Sequence, residues 1–357
     1  MRKPDRMQFE FEDLSVNEIM RDEDFYRPLL ETVDFVKLMK PYREIYSNLG
    51  RGAYGIETGI KCLLAQIFED RSDRQMEKMI KYDLRLRYFC GFGLSDKTPD
   101  HSWFCRFRER LGTENIEKIH NHIVKVLRDR GLVTDFCSFI DTSEIIRKQN
   151  TWIERDKRIQ AELDKQNLGG KTFEGEPLKK KSELKNEKGL LSNKNVALYS
   201  ADPDARIGCK GNENFWFGYK RGVCVDGTFG IITRVLVEPG NVNDWDMAAP
   251  LLPDTGAVLM DKGFDVNRVY ENAPADVTLR IIKKRNRKDK NRDFDRWISK
   301  LRSPFESVFS QQKKMTRFAG IARNKFKGFI EAVAFNIKKA LKAKEQYSVK
   351  LSNLCIA

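Results

Sequence analysis

Two aspartates follow short apolar runs, and as a pair they could hold a hard cation. Phe139-Ile140-Asp141-Thr142-Ser143 and Leu259-Met260-Asp261-Lys262-Gly263-Phe264 each place a carboxylate directly after residues that read as a strand. If these strands neighbour one another in a sheet, the two carboxylates meet at its edge. Like charges that close repel unless a cation sits between them. Oxygen-rich sites of this kind suit Mg2+ or Mn2+, which bind through a few carboxylates, water and phosphate. Either aspartate taken singly is more simply a turn or a helix cap; the pair is what points to chemistry.

A third acid lies in the helical stretch Arg302-Ser303-Pro304-Phe305-Glu306-Ser307-Val308-Phe309. Pro304 suits the first turn of a helix with Ser303 as its cap, so Arg302 is expected to precede that helix. Glu306 and Lys313 are seven positions apart and share one helical face. Phe305, Phe309, Phe318 and Phe326 read as core aromatics, not as platforms for nucleobases.

The ordered set resembles the DDE transposases of bacterial insertion sequences, whose catalytic domain has an RNase H-like fold. Leu259-Met260-Asp261-Lys262-Gly263-Phe264-Asp265 is similar to that family's second-aspartate motif, and Arg302, Glu306 and Lys313 match its Arg, three residues, Glu, six residues, Lys pattern. Asp202-Pro203-Asp204-Ala205-Arg206 with Phe217-Gly218-Tyr219-Lys220 resembles the segment after the first aspartate. Pro239-Gly240-Asn241-Val242-Asn243-Asp244 resembles the stretch before the second. Pro99-Asp100-His101-Ser102 and Phe107-Arg108-Glu109-Arg110-Leu111 look like the family's N-terminal helical domain. The likeness runs from about residue 10 to 340 in motif order. Ser299 stands where the pattern often has Tyr, and Asn243 where a His is common.

The resemblance implies a DNA transposase whose Asp141, Asp261 and Glu306 hold two Mg2+ or Mn2+ ions. One ion would activate a water or a 3′-hydroxyl and the other would stabilise the leaving oxygen of an in-line displacement. Water as nucleophile nicks the element end, and the freed 3′-hydroxyl then joins target DNA. Arg302 and Lys313 would hold the DNA backbone, aided by the basic run Lys283, Lys284, Arg285, Arg287 and Lys288. The implied partners are double-stranded DNA, both terminal inverted repeats and target, and further copies of the chain in a homodimer or larger assembly. The alternatives are an RNase H-like nuclease or resolvase, and a non-catalytic DNA-binding derivative of a transposase. Among nearby acids, Asp135, Glu144, Asp204, Asp226, Asp244, Asp246 and Asp265 compete for the ligand roles.

Bulk composition fits this reading. The 357 residues suggest two or three domains, and net charge is +14. That excess is concentrated: residues 280–344 hold 21 Lys and Arg against 5 Asp and Glu, while the remainder holds 45 against 47. Clustered cation is what phosphate neutralisation with counterion release requires. Seven scattered cysteines with no CxxC pair argue against a disulfide framework and fit a reducing cytosol. Only His101, His120 and His122 are present, at no zinc-finger spacing. No run nears the roughly 18 apolar residues of a membrane span, and the charged opening lacks the apolar stretch of a secretory signal. A cytoplasmic bacterial protein, on the nucleoid when DNA-bound, is the expectation.

The elements that must position these residues divide into an all-α N-terminal part and an α/β part with a mixed central sheet and flanking helices. Residues 1–130 read as a helical DNA-binding or assembly domain, 131–345 as the RNase H-like catalytic domain, and 346–357 as a tail. A capped helix is expected to open at Leu14–Glu18, and apolar spacing from Gly59 to Phe89 predicts a helical pair with Ser72 and Gln75 as a capping box. Further helices are predicted from Asp100 or Ser102 to Leu111 and over 114–129. Strands are predicted at 136–140, 217–225, 231–237, 257–260 and 277–282, the second and third joined as a hairpin through Asp226-Gly227-Thr228-Phe229-Gly230. The lysine-rich stretch 154–196 lacks the apolar residues to bury a core and reads as a mobile insertion.

Overall fold

The computed structural model describes residues 24–45, 54–147, 157, 202–210 and 214–347. The helix expected at Leu14–Glu18 and, but for residue 157, the polar stretch 154–196 lie outside them. In chain order the helices are α1 (Tyr26–Thr32), α2 (Phe35–Met39), α3 (Ile56–Phe68), α4 (Asp73–Tyr82), α5 (Leu84–Cys90) and α6 (His101–Asp129). After these come α7 (Ala248–Leu251), α8 (Asn267–Glu271), α9 (Arg292–Ser310) and α10 (Ile321–Tyr347). The strands are β1 (Cys137–Arg147), β2 (Arg206–Lys210), β3 (Asn214–Asp226), β4 (Ile232–Pro239), β5 (Gly256–Met260), β6 (Val277–Ile281) and β7 (Met315–Thr316). Two compact units emerge: Met1–Ser138 with Val225–Arg234 and Phe326–Ala357, and Phe139–Cys224 with Val235–Lys325.

The first unit is helical because its apolar residues recur at helical spacing and find one another. Ile60, Leu63 and Leu64 of α3, Met76 and Ile80 of α4, Leu86 and Phe89 of α5, and Phe104 and Phe107 of α6 are all buried. Gly59 allows the close approach of α3 to α6, since a Cβ there would lie 2.1 Å from the Phe107 ring. The expected capping box opens α4: the Ser72 side chain accepts from the Gln75 amide, and the Gln75 side chain accepts from the Ser72 amide. Gly112, at φ 70° and ψ 166°, interrupts α6 at the junction where the pattern predicted one helix to end and another to begin. The hairpin tip is clasped within this unit. Asn336 of α10 accepts from the Ile232 amide (2.8 Å) and donates to its carbonyl (2.8 Å), and that carbonyl also accepts from His120 Nε2 (3.1 Å).

The second unit is built on the mixed sheet. Among the described residues seven strands pair, in the order β2-β3-β1-β5-β6, with β4 on β3 and β7 on β1. β2 runs antiparallel to β3, with Arg206 opposite Gly218; β5 and β6 run parallel, with Met260 opposite Ile281. Ile140, Cys224, Val258, Met260, Phe264, Val269 and Ile281 form its main core with Met247, Ala248 and Leu251.

Two expectations need correction. β1 does not end at Asp141; it continues six residues to Arg147, because Ile146 and Arg147 pair with β7. Helix α9 starts at Arg292, far ahead of Ser303, so Arg302 rides on the helix and Pro304 lies inside it. The cap is Asn291, whose side chain accepts from the amides of Asp293 and Phe294 (both 3.1 Å). The turns between Asn291 and Leu301 are thus formed before the proline, and its lost N–H costs one bond near the end of an established helix.

Candidate active site

Strand alternation explains where Asp141 points. Ile140 faces the core, so Phe139 and Asp141 share the opposite face of β1. Phe305 of α9 stacks on Phe139 with centroids 4.0 Å apart, which seats the helix over that face. One turn earlier on α9, the Arg302 guanidinium then reaches two carboxylates. Its Nη2 donates to Asp141 Oδ2 (2.8 Å), and its Nη1 lies 3.6 Å from Asp261 Oδ1. Asp261 is delivered by β5, the neighbour of β1, and sits directly after the buried Met260 where a 3-10 turn begins. Two acids 120 positions apart in sequence are thereby held around one cation.

The electrostatics follow from burial and charge. Burial pushes the Asp141 carboxyl above its usual range, and the neighbouring Asp261 adds to this; Arg302 and the Thr142 amide pull the other way. Asp141 Oδ1 accepts that amide at 2.8 Å. The Thr142 hydroxyl donates to Asp244 Oδ1 (2.8 Å), which also pairs with Lys220 Nζ (2.9 Å). Lys220 is buried and donates to the Val242 carbonyl as well (2.8 Å). This Lys220–Asp244–Thr142 chain braces β1 beside Asp141. In the sequence Asp244 is only one of several competing acids, because nothing local shows which hydroxyl it will meet.

Glu306 stands one turn beyond Arg302 on α9 and is exposed. Among the described residues no three His, Cys, Asp or Glu side chains form a cage for a metal ion, so the structure joins Asp141 with Asp261 and leaves Glu306 apart from that pair. Lys313 is half-buried just after α9, and Lys262 is exposed in the turn after Asp261. Most competing acids are committed elsewhere. Asp135 pairs with Arg128, Glu144 with Lys314, Asp246 with Arg268 and Asp265 with Arg287. Asp204 accepts the Ile321 amide at the start of α10, and Asp226 accepts the Thr134 amide.

The basic run after β6 divides in two. Lys283 donates to the Tyr270 hydroxyl (3.0 Å) and pairs with Asp289 (3.1 Å), and the Lys284 amide donates to Asp265 (2.8 Å). Arg287 pairs with the buried Asp265, which raises the guanidinium's pKa; burial pushes the Asp265 carboxyl up, but the Lys284 amide and then Arg287 and Tyr270 hold it below its usual range. Arg285 and Lys288 are exposed.

The structure thus sets two acids on adjacent strands of a mixed sheet, with α9 packed against the same face. Two family models match the chain: a transposase domain (DUF772) over residues 14–110 and a transposase DDE domain over residues 186–341. With both domains present in this order, the chain is a DDE transposase and functions as a DNA transposase. Asp261, Arg302, Glu306 and Lys313 fall within the DDE match; Asp141 lies between the two matched segments. No curated protein matches the chain. The cryo-EM structure of a piggyBac transposase synaptic complex with hairpin DNA is similar at 9% identity and a TM-score of 0.36, covering 94% of this chain and 76% of that one. Among the described residues no helix is long and apolar enough to cross a membrane.

Proposed function

We propose that this chain cuts DNA at the ends of its own insertion sequence and joins the freed 3′ end to a target, using Asp141, Asp261 and Glu306 at one centre. The observation that carries the reading is the Arg302 bridge, which holds Asp141 and Asp261 close enough to share a cation. The donor set fits Mg2+ or Mn2+: hard carboxylate oxygens, few enough to leave room for water and substrate phosphate. Asp141 and Asp261 would hold such ions, and Glu306, which stands apart from that pair in this structure, would join them from α9 on loading. When bound, two ions would supply activation of the attacking oxygen and stabilisation of the leaving one.

The chain's own side chains do the remaining work. The stacking of Phe305 on Phe139 fixes α9 so that Glu306 and Arg302 are presented on the same helix, one turn apart. Lys220, through Asp244 and Thr142, keeps the Asp141 backbone in register. Arg302, Lys313, Arg285 and Lys288 would grip phosphates flanking the scissile bond, with Lys283 and Arg287 shaping the loop that displays them. The protein would act as a dimer or larger assembly, since two element ends must be handled together.

Incubating the purified protein with the DNA that flanks its own gene and Mg2+, then mapping each broken phosphodiester, tests this reading. Cuts at the element ends followed by joined products are expected. Cleavage spread over unrelated DNA without joining would assign the chain to plain nuclease chemistry.

A further inference from the structure

Arg302 hydrogen-bonds Asp141 and lies within ion-pair distance of Asp261, and it belongs to the residues that would grip DNA. Those two roles exclude one another in space. Both Asp141 oxygens are engaged while the bridge is made: Oδ1 accepts the Thr142 amide and Oδ2 accepts Arg302 Nη2, so the guanidinium stands on the side that faces Asp261. The same guanidinium faces Asp261 Oδ1 at 3.6 Å. The Arg302 side chain is only 12% exposed and so is packed in place, while Asp141 and Asp261 stay open to solvent at 30% and 45%. The guanidinium relieves the repulsion of two close carboxylates, one of them disfavoured by burial, as a divalent ion would.

We propose that Arg302 is a placeholder cation that couples DNA binding to metal loading: a DNA phosphate draws the guanidinium off Asp141 and Asp261, and the vacated carboxylates then take up the divalent ion. This rests on the reading of Asp141 and Asp261 as metal ligands and adds an order of assembly to it. The physics is a competition for one fork. A guanidinium bonds phosphate and carboxylate alike through paired N–H donors, so phosphate can replace what the acids lose. An ion entering without DNA must displace Arg302 into solvent with no new partner, which weakens its binding. The coupling is reciprocal: metal raises affinity for DNA by the same factor by which DNA raises affinity for metal. Without DNA the centre stays neutralised by Arg302, and metal loading waits for a DNA phosphate to take the guanidinium.

The test is titration of the full chain with Mn2+, reading free ion by its electron paramagnetic resonance signal, with and without a short DNA duplex and after subtracting the duplex alone. For the parent protein, duplex should tighten Mn2+ binding by roughly 5-fold or more, the lower end of ordinary coupling between sites. Arg302→Gln should bind Mn2+ more tightly than the parent without DNA and gain little from adding it. Arg302→Lys, which keeps the charge but not the fork, should fall between and stands in if the glutamine variant does not fold. Equal or weaker Mn2+ binding by these variants without DNA overturns the placeholder, as does a parent protein whose Mn2+ affinity ignores the duplex. Asp261→Asn, run alongside, reports separately on the metal-ligand reading. If that variant binds Mn2+ like the parent, the reading beneath the proposal is at fault.

Discussion

Arg302 Nη2 lies 2.8 Å from Asp141 Oδ2 across a sequence separation of 161 residues, and the same guanidinium reaches Asp261. The geometry makes α9 part of the acid pair's environment and not merely a cover for the sheet. It also gives Asp141, which lies outside both matched domain segments, a structural tie to Asp261.

Asp261→Asn and Asp141→Asn should each abolish Mg2+-dependent cleavage of element ends while leaving end binding largely intact, as a gel-shift assay would show. Asparagine keeps the shape and removes the charge that a hard cation needs. Parental cleavage rates in either variant would remove that residue from the centre.

Glu306→Gln should separate function from stability. Because Glu306 is exposed on α9, the substitution should change unfolding free energy by no more than about 0.5 kcal/mol. Cleavage should nevertheless fall at least 100-fold, roughly the 3 kcal/mol of barrier that such a loss represents. Activity within a few-fold of the parent would mean that the third acid lies elsewhere.

The two kinds of basic residue after β6 should behave differently. Replacing Arg285 and Lys288 with Ala should weaken DNA binding and flatten the slope of its salt dependence by roughly 0.9 for each phosphate no longer neutralised, with stability unchanged. Arg287→Ala should instead lower stability, because it leaves the buried Asp265 carboxylate with the Lys284 amide and Tyr270 hydroxyl but no countercharge. Removing all of 283–290 should do both, and an unchanged salt slope would assign the segment a different task.

Asn336→Leu should destabilise the first unit by about 1–3 kcal/mol, the usual cost of leaving a buried polar group without its partner. Its side chain is fully buried and satisfies both the amide and, with His120, the carbonyl of Ile232. Urea unfolding followed by a probe in that unit would measure it.

His120 predicts an acid-side loss of stability. Burial lowers its pKa in the folded protein relative to the unfolded chain. The unfolded state therefore binds the proton first. The stability linked to neutral His120 is full above the unfolded value of about 6.5 and is lost as pH falls below it, down to the depressed folded pKa. Unfolding midpoints compared at neutral pH and near pH 5 should show the fall, and His120→Gln should shrink it. An identical pH response in that variant would place the titration in another group.

How much of this was legible beforehand varies from residue to residue. The capping box at Ser72 and Gln75, the hairpin through Gly227 and Gly230 and the break between two helices near Gly112 are local, set by residues within a turn of one another. Their cues were therefore sufficient. Ser303-Pro304 is a strong local signal for a helix opening, but the Asn291 cap and the eleven helical residues from Arg292 to Arg302 override it. The end of β1 was misplaced because Asp141 looks like a terminus until β7, far along the chain, supplies backbone partners for Ile146 and Arg147.

The sequence alone determined which acids were available, the helical character of the first part, the strand bearing Asp261 and the concentration of cation between residues 280 and 344. Composition and short-range spacing carry that information. Only the tertiary structure decided that β1 lies beside β5, that Arg302 stands between Asp141 and Asp261, and that Asp244 braces Thr142. Those meetings depend on strand order and on the seating of Phe305 against Phe139. Such pairings are chosen by global packing, where distant residues gain burial together, and no local propensity encodes them.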